Sequence, residues 1–331
     1  MSARGVAVVT GGSAGVGRAA VRQLAERGWD VAVLARGSAG TDAAAADVRA
    51  AGRRALAVEC DVADAGAVEA AADRIEAELG PIDVWVNVAF VGALRWFRDM
   101  DEKSYRRITD VTYMGQVHGV RAALSRMQPR DRGVIVNVGS ALAFRGIPLQ
   151  SAYCGAKHAV KGFTESVISE LKAEGSAVRV CMVQLPGLNT PQFDWNENEF
   201  DQHPQPVPPV FQPETAGRAI AYLVEHPRRN LWVGVSTAYT ILGNRLAPWF
   251  LDRYLARTGV SGQLSGKRGP RFGSNLFTPR DAQSDRGSHG MFDDTAHASD
   301  PWSWTSIHRV PVAAAALGTA AAALAAGLRR R

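Results

Sequence analysis

Short apolar runs alternate with stretches of helical periodicity along the first 235 residues of the chain. The runs are rich in Val and mostly continuous, which is typical of strands that are buried on both faces of a sheet. They predict strands at 6–10, 31–35, 55–59, 82–88, 134–138, 178–185 and 231–235. The periodic stretches predict helices near 15–27, 41–51, 64–78, 101–127, 151–174 and 213–226. This alternation predicts an α/β fold, a doubly wound, parallel, seven-stranded sheet in three α/β/α layers.

Two segments depart from this alternation. Residues 193–213 are polar and then rich in proline, and they follow the sixth predicted strand, where a long irregular segment is often a lid or a binding loop. Beyond residue 258 the chain becomes rich in Gly, Ser, Arg and Asp, which predicts a poorly ordered or loosely docked extension over 259–308. The pattern therefore predicts one folded domain over 1–258, followed by this extension.

The last segment, 309–331, contains nineteen successive uncharged residues and ends in three arginines. Its length suits a membrane-spanning helix of about 20 residues, with Arg329 to Arg331 at an anionic surface. Ten of the nineteen residues are Ala, however, so the segment is barely apolar. Two interpretations stay open, a membrane anchor and an Ala-rich helix that packs on the body or on a partner.

The charge balance argues against a nucleic-acid-binding protein. The 331 residues include 38 Lys and Arg against 32 Asp and Glu, a net charge of +6. Nine of the basic residues and five of the acids lie beyond residue 258, so the first 258 residues are nearly neutral, with 29 against 27. The three cysteines are far apart, the histidines lack metal-ligand spacing, and the N-terminal stretch has no apolar signal-peptide core. We therefore expect a cytoplasmic protein without a metal site.

A glycine-rich turn joins the first predicted strand to the first predicted helix. Its glycines have the spacing TGxxxGxG, and glycine lets the backbone approach a pyrophosphate closely. The helix N-terminus behind the turn offers unpaired N–H groups and the positive end of the helix dipole. Because a strand precedes the turn and a helix follows it, the context favours a dinucleotide site over a plain tight turn. The predicted cofactor contacts here are Thr10, Gly11, Ser13, Gly15, Val16 and Gly17.

One side chain at the end of the second strand bears on the choice of cofactor. Dinucleotide folds that prefer NAD usually have an acid here for the ribose hydroxyls, whereas an Arg can pair with the 2′-phosphate of NADP. Arg36 occupies the position. The sequence therefore favours NADP(H), with NAD(H) as the alternative.

A second constellation lies between the fifth strand and the helix that follows it. Tyr153 and Lys157 are four residues apart, so both side chains lie on one face of that helix. An ammonium near a phenol favours the phenolate and lowers a pKa that is otherwise near 10, which predicts that Tyr153 is a general acid or base. Ser140, at the end of the fifth strand, can orient a substrate oxygen by hydrogen bonding.

Together these motifs resemble the short-chain dehydrogenase/reductase family over roughly residues 4–235. The resemblance implies a Rossmann-type fold in which Ser140 positions the substrate and Tyr153 transfers the proton. It implies that Lys157 also binds the nicotinamide ribose. Hydride then moves between C4 of the nicotinamide and the substrate carbon.

Further family motifs extend the predicted cofactor site along the chain. They comprise an acid after the third strand, an Asn-Asn-Ala-Gly stretch that ends the fourth strand, and a Pro-Gly motif after the sixth strand. In this sequence they give the predicted contacts Asp61, Val62, Asn87, Ala89, Pro186, Gly187 and Thr190. Thr190 comes one residue earlier than in the family.

Three positions depart from the family pattern. The fourth strand ends in NVAF, so Val88 and Phe90 replace the second Asn and the Gly beside the expected cofactor ribose. Thr112, in VTYMG, stands where the family has an Asn that usually holds a water in a proton relay from the lysine. Thr112 is nevertheless a predicted catalytic residue, because its hydroxyl could hold a water in another way.

The sequence predicts an NADP(H)-dependent oxidoreductase that acts on an alcohol or a ketone. Leu142, Phe144, Phe193 and Trp195 are expected near the substrate opening, and apolar side chains line most ligand pockets. They favour an apolar small-molecule substrate such as a lipid, steroid or terpenoid. The helix-like stretch 237–259 has aromatic and aliphatic residues that could cover the substrate mouth or form a subunit contact, and a core or interface role is favoured. We expect a homo-oligomer, either a dimer or a tetramer.

Two other function classes stay open. The three departures from the family pattern motivate a nucleotide-binding sensor with little turnover. The apolar C-terminal segment motivates a membrane-tethered scaffold.

Overall fold

The computed structural model describes residues 4–269 and 273–308 of the chain. Its strands are β1 (Val6–Thr10), β2 (Asp30–Ala35), β3 (Ala55–Glu59), β4 (Ile82–Asn87), β5 (Ala93–Leu94), β6 (Val134–Val138), β7 (Arg179–Gln184), β8 (Glu197–Asn198) and β9 (Asn230–Trp232). Its helices are α1 (Gly15–Glu26), α2 (Ser38–Ala50), α3 (Ala65–Glu78), α4 (Glu102–Thr109), α5 (Gly115–Met127), α6 (Ser151–Ala173), α7 (Gln192–Trp195), α8 (Pro213–Glu225), α9 (Val235–Leu246), α10 (Pro248–Thr258) and α11 (Pro301–Ile307).

The main sheet has seven strands in the order β3-β2-β1-β4-β6-β7-β9, and all neighbouring strands are parallel. The order reverses between β1 and β4, because the chain leaves β3 at one edge and returns to the middle of the sheet. Such a reversal opens a crevice at the carboxyl ends of the strands, where ligands bind in doubly wound folds. The predicted seven-stranded, three-layer fold is thus confirmed.

The continuous apolar runs form strands because both faces of the sheet are covered. Val8 packs in one core cluster with its register partner Trp85, and Val9 packs in the opposite cluster with its register partner Val86. Successive side chains of a strand point to opposite faces, so both positions need an apolar residue. All five residues of β1 are buried. Burial of each such side chain stabilises the fold by about 1.5–3 kcal/mol.

Two predicted helical stretches are interrupted in the structure. The stretch 101–127 contains α4 and α5 with one turn of π-helix, Asp110–Met114, between them. The stretch 237–259 divides into α9 and α10 at Ala247, because Pro248 lacks the N–H group that would continue the helix. Periodicity predicted the helices correctly, but one inserted residue hardly changes a hydrophobic pattern and so left no signal for the π-turn.

The segment 193–213, predicted as an irregular lid or binding loop, contains short elements. Its β8 pairs with β5, so Ala93 lies opposite Glu197. This pairing fixes the loop after β7 against the loop after β4, beside the crevice. The segment is thereby held in place by backbone hydrogen bonds as well as by side chains.

The extension after residue 258 packs against the body, which differs from the loose docking that its composition predicts. Leu276 is fully buried in the core cluster that also contains Val62. Arg18 pairs with Asp285 at 3.1 Å, and the Gly15 N–H donates to the Gly287 carbonyl at 3.0 Å. Composition missed this docking because it depends on one leucine, a few ion pairs and main-chain carbonyls.

The predicted segment 309–331 lies outside the described residues. None of the helices in residues 4–269 and 273–308 combines the length and the apolar character that a bilayer crossing requires. The division of the chain after residues 258 and 308 stays a prediction.

We expect Leu276→Ala to lower the free energy of unfolding by about 2–5 kcal/mol, because it leaves a cavity in the core. Urea unfolding measures the change. Met291→Ala is the matched control, since this residue of the same extension is 51% exposed and its loss is expected to change stability by less than about 0.5 kcal/mol. Equal stabilities of the wild type and Leu276→Ala would contradict the observed docking.

Candidate active site

A cleft runs along the carboxyl ends of the central strands, at the point where the strand order reverses. It encloses about 1210 Å³, including the part that is open to solvent. One end is formed by the residues that follow β2 and β3, and the other by the residues that follow β6 and β7. The glycine turn after β1 lies between the two ends. The cleft is therefore long enough to bring the predicted nucleotide site and the predicted catalytic residues into one cavity.

The glycine turn forms the middle of the cleft wall. Gly15 has a φ of +54°, a conformation that favours glycine. A Cβ at position 17 would lie 2.0 Å from the Gly11 carbonyl oxygen, so any side chain there would fill the turn. The turn thus keeps side chains away from the N-terminus of α1, which suits a pyrophosphate, while the Gly15 N–H donates to the Gly287 carbonyl of the extension.

Three of the predicted catalytic residues meet at the other end of the cleft. Ser140 follows β6, and its main-chain N–H donates to Gln184 Oε1 at 2.9 Å, which fixes the serine backbone. Tyr153 and Lys157 enter the same space from the first turns of α6. The Lys157 ammonium is buried and donates to the Val138 carbonyl at 2.7 Å. Its nitrogen lies 5.6 Å from the centre of the Tyr153 ring.

Burial dominates the protonation of this group. It raises the pKa of Tyr153 above its ordinary value of 10, and an interaction with the Ser140 hydroxyl acts in the opposite direction. Burial also lowers the pKa of Lys157 to about 7. The prediction that the lysine lowers the pKa of the tyrosine is therefore wrong for the polypeptide alone. The reason is that both groups lose water, and the loss disfavours the charged form of each.

Phe90 replaces the family glycine without closing the cleft. Its ring makes an edge contact with the Tyr153 ring, with the centroids 5.7 Å apart and the planes at 63°. The Lys157 nitrogen lies 5.6 Å from the Phe90 ring centre. The departure therefore adds an aromatic wall beside the tyrosine and the lysine.

Thr112 lies in the π-turn and is fully buried. Its hydroxyl donates to the Val91 carbonyl at 3.0 Å and accepts from the Val91 N–H at 3.2 Å. Both bonds fasten the loop after β4 to the π-turn. The hydroxyl proton is thus used within the protein, and the observed contacts of Thr112 are those of a positioning residue.

Other predicted contacts lie just behind the cleft wall. The Asn87 side chain is fully buried, accepts from the Trp85 indole N–H at 2.8 Å and donates to Asn137 Oδ1 at 2.9 Å. The Thr10 hydroxyl accepts from the Val88 N–H at 3.1 Å. The side chains of Thr10 and Asn87 therefore shape the strand ends from behind the cleft wall. Direct contact with a ligand falls to the neighbouring residues that line the cleft.

Gly187 also lies outside the wall of the cleft. A Cβ on it would lie 2.7 Å from the Val207 carbonyl, so it permits a close approach of two chain segments. The predicted residues that do line the cleft are Gly11, Ser13, Gly15, Val16, Gly17, Arg36, Asp61, Val62, Ala89, Ser140, Tyr153, Lys157, Pro186 and Thr190.

The C-terminal extension contributes lining residues that sequence reasoning missed. Asn275, Pro279, Arg280 and Asp281 form part of the cleft wall beside the residues that follow β2. No motif marks them, and they lie some 240 positions along the chain from Arg36. Only the folded chain brings them to the cleft.

Arg36 is held by this extension. Its guanidinium donates to the carbonyls of Asn275, of Leu276 at 3.3 Å and of Phe277 at 3.2 Å. Burial and the positive charge of Arg107 lower the pKa of Arg36. The side chain predicted to meet a 2′-phosphate therefore uses three of its five N–H donors on main-chain oxygens.

Asp61 is likewise paired inside the protein. Burial alone would raise the pKa of this carboxyl, but hydrogen bonds from Arg107 and from the Ala63 N–H outweigh it and hold the pKa below the ordinary value. Asp61 remains in the cleft wall as a charged group. The adenosine end of the cleft thus combines Arg36 and Arg107 with the carboxylate of Asp61.

The residues present fit a nicotinamide dinucleotide. The glycine turn, which carries no side chain at positions 11, 15 and 17, suits its pyrophosphate, and the buried Lys157 and the Tyr153 phenol lie at the end where its reactive ring belongs. These features fit NAD and NADP equally, because the two cofactors differ only at the adenosine ribose. The residues at the adenosine end of the cleft therefore decide between them.

Comparison with known proteins agrees with this geometry. The family model described as short chain dehydrogenase matches residues 5–200. An uncharacterized oxidoreductase of Bacillus subtilis, YxnA, is 30% identical over 287 residues, which cover 86% of this chain and 81% of the relative. Because this alignment is longer than the 258 residues of the predicted domain, it includes part of the extension.

Two solved structures share the fold. A short chain dehydrogenase/reductase from Burkholderia phymatum, in complex with NAD, has a TM-score of 0.67 at 22% identity and covers 76% of this chain and 95% of its own. A metagenomic short-chain oxidoreductase in complex with NADP has a TM-score of 0.60 at 26% identity and covers 70% of this chain and 96% of its own. The chain therefore belongs to the short-chain dehydrogenase/reductase family, whose members are nicotinamide-dependent oxidoreductases that act on CH–OH groups.

Proposed function

We propose that the cleft interconverts a ketone and the corresponding secondary alcohol of an apolar small molecule. The observation that carries the proposal is the meeting of Ser140, Tyr153 and Lys157 at one end of a cleft whose middle is the glycine turn. A phenol, a hydroxyl and a buried amine at this place serve proton transfer to a carbonyl oxygen.

The roles follow from the protonation of each group. Because its pKa is raised, Tyr153 is a neutral phenol at neutral pH, and it donates its proton to the oxygen of the ketone. Ser140 donates a hydrogen bond to the same oxygen and so holds it near the phenol. Lys157, fixed on the Val138 carbonyl, stabilises the phenolate that remains. A nicotinamide bound at this end of the cleft would supply the hydride, and its oxidised form would carry a positive charge that also favours the phenolate on Tyr153.

An apolar substrate is supported by the walls of the cleft near Tyr153. Four apolar residues line the cleft here: Phe90, Val91, Leu188 and Trp195. Trp195 is 8% exposed, and Arg286 lies over its ring at 5.9 Å, so the indole is held in place. Such walls favour a lipid, steroid or terpenoid over a charged metabolite.

The rings of Phe193 and Phe144, also predicted near the substrate, have protein partners in the structure. Phe193 makes an edge contact with Phe292 of the extension, with the centroids 5.8 Å apart. The Lys161 nitrogen lies 5.3 Å from the Phe144 ring centre. Both rings are thus fixed by neighbours, and their contact with substrate stays a prediction.

A nucleotide-binding sensor with little turnover receives less support. Three departures from the family pattern motivate it, and two of them have defined contacts in the structure. Phe90 packs on Tyr153, and Thr112 fastens Val91. The catalytic residues keep their arrangement beside both.

A homo-oligomer in the cytoplasm completes the proposal. The surface of α9 and α10 carries exposed apolar side chains that include Leu246 at 82% and Trp249 at 61% exposure. Phe250 and Tyr254 stack beside them, with their centroids 6.3 Å apart. An apolar patch of this kind supports a contact between subunits.

Tyr153→Phe is expected to lower kcat for ketone reduction by about 10²–10⁴-fold, because the proton donor is lost. Stopped-flow measurement of NAD(P)H oxidation with a panel of apolar ketones determines the change. Tyr239→Phe is the matched control, since this tyrosine is 55% exposed, and it should keep the wild-type rate. Turnover that survives intact in Tyr153→Phe would refute the assigned role.

The raised pKa of Tyr153 fixes the sign of the pH dependence. Alcohol oxidation needs the phenolate beside a charged Lys157, so its rate should rise with pH from about 5 to 7; above pH 7 the lysine, whose pKa is lowered to about 7, loses its charge and offsets the gain in phenolate. Ketone reduction needs the phenol and should stay level from about pH 5 to 7. Initial rates in both directions test this, and an oxidation rate that is flat or falls with pH over this range is the contrary result.

Trp249→Glu is expected to lower the mass of the protein in solution by at least half, because it places a charge in the proposed subunit contact. Light scattering after gel filtration measures the mass. Phe277→Glu, at a 45% exposed aromatic outside this patch, is the control. An unchanged mass in Trp249→Glu would remove α10 from the subunit contact.

A further inference from the structure

The extension reaches the cleft at the end of β2, where the adenosine ribose of a dinucleotide belongs. Its residues 275–277 take the donors of Arg36, and the Arg107 guanidinium donates to the Leu276 carbonyl at 3.0 Å. Leu276 itself is fully buried in the core. These anchors fix the residues that follow, and Asp281 is the first carboxylate among them.

Asp281 is buried in the wall of the cleft. The residue is 6% exposed, and its main-chain carbonyl accepts from the Gly40 N–H at 2.9 Å. A Cβ on Gly37 would lie 1.8 Å from Asp281 Oδ1, so the carboxylate lies directly against the backbone that follows β2. Only glycine at position 37 leaves room for it.

The carboxylate of Asp281 is open to a ligand. In the part of the chain that the structure describes, no hydrogen-bond donor of the protein reaches its oxygens. The positive charge of Arg36 acts on it through space. A carboxylate in the cleft wall that has no donor from the described part of the protein favours a ligand that brings donors.

We propose that Asp281 is the residue that selects NAD(H), by accepting hydrogen bonds from the hydroxyls of the adenosine ribose. A carboxylate at the end of β2 accepts from the 2′-hydroxyl and repels a 2′-phosphate. In this chain the acid comes from the C-terminal extension, whereas Arg36 at the usual position anchors that extension. The inference rests on the proposed function only in so far as the cleft binds a nicotinamide dinucleotide.

The sequence-based preference for NADP(H) is the competing outcome. Arg280, next to Asp281, is exposed in the cleft wall and donates through Nε to the Ser274 carbonyl at 2.9 Å, which leaves its terminal nitrogens for a phosphate. If Arg280 and Arg36 governed the site, a 2′-phosphate would bind more tightly than a hydroxyl. The two outcomes differ in sign, so one binding measurement separates them.

The test is the fluorescence titration of the full chain, without substrate, with NADH and with NADPH. We expect the wild type to bind NADH at least about tenfold more tightly than NADPH. Asp281→Asn should weaken NADH binding by about tenfold and improve NADPH binding, because it removes the charge and keeps the shape. The ratio of the two Kd values is compared between variants. A loss of folded protein affects both titrations equally and therefore leaves the ratio unchanged.

Asp285→Asn is the matched control. Asp285 belongs to the same extension and pairs with Arg18 at 3.1 Å, but it lies outside the cleft wall, so the ratio should keep its wild-type value. Asp281→Glu keeps the charge and should retain part of the NADH preference. Tighter binding of NADPH by the wild type, or an unchanged ratio in Asp281→Asn, overturns the assignment of Asp281 and leaves the proposed function standing. If the wild type binds neither nucleotide, both the assignment of Asp281 and the proposed function fail.

Discussion

A parallel sheet that is covered by helices on both faces leaves polar chemistry only at the ends of its strands. In this protein the central strands of the main sheet are buried on both faces, so polar side chains gather where these strands stop. Asn87 and Asn137 meet there in a buried hydrogen bond of 2.9 Å, and Thr10 caps the loop after β4. These bonds fix the strand ends on which the glycine turn and the catalytic serine are mounted. The position of the cleft follows from the reversal of strand order between β1 and β4.

At the catalytic end, the loss of water decides the charge of each group. Lys157 is 1% exposed and donates to the Val138 carbonyl, and burial outweighs this bond and lowers the pKa of its ammonium. Tyr153 responds in the opposite sense, because its charged form is the anion. The pair therefore begins as a neutral phenol beside a lysine with a pKa of about 7. Such a pair is poised to give a proton, and any positive charge brought by a ligand shifts it toward the phenolate.

At the adenosine end, the extension gives Arg36 a different role from the one that its position in the sequence predicts. Arg36 has the position of a phosphate ligand, but three of its five N–H donors are used on the carbonyls of residues 275–277. Asp281 brings a buried carboxylate to the same place. Arg36, at a motif position, thus anchors the extension. Asp281, which belongs to no motif, lies in the cleft wall where the ribose is expected.

The sequence by itself determined the sheet, the glycine turn and the grouping of Ser140, Tyr153 and Lys157, because these depend on local periodicity and on short spacings along the chain. It gave no sign of the π-turn that holds Thr112, nor of the docking of Leu276. The sign of the pKa shift of Tyr153 and the partners of Arg36 were decided by the tertiary structure alone. Desolvation depends on what surrounds a group in space, and a contact between residues 36 and 276 has no counterpart in any local pattern.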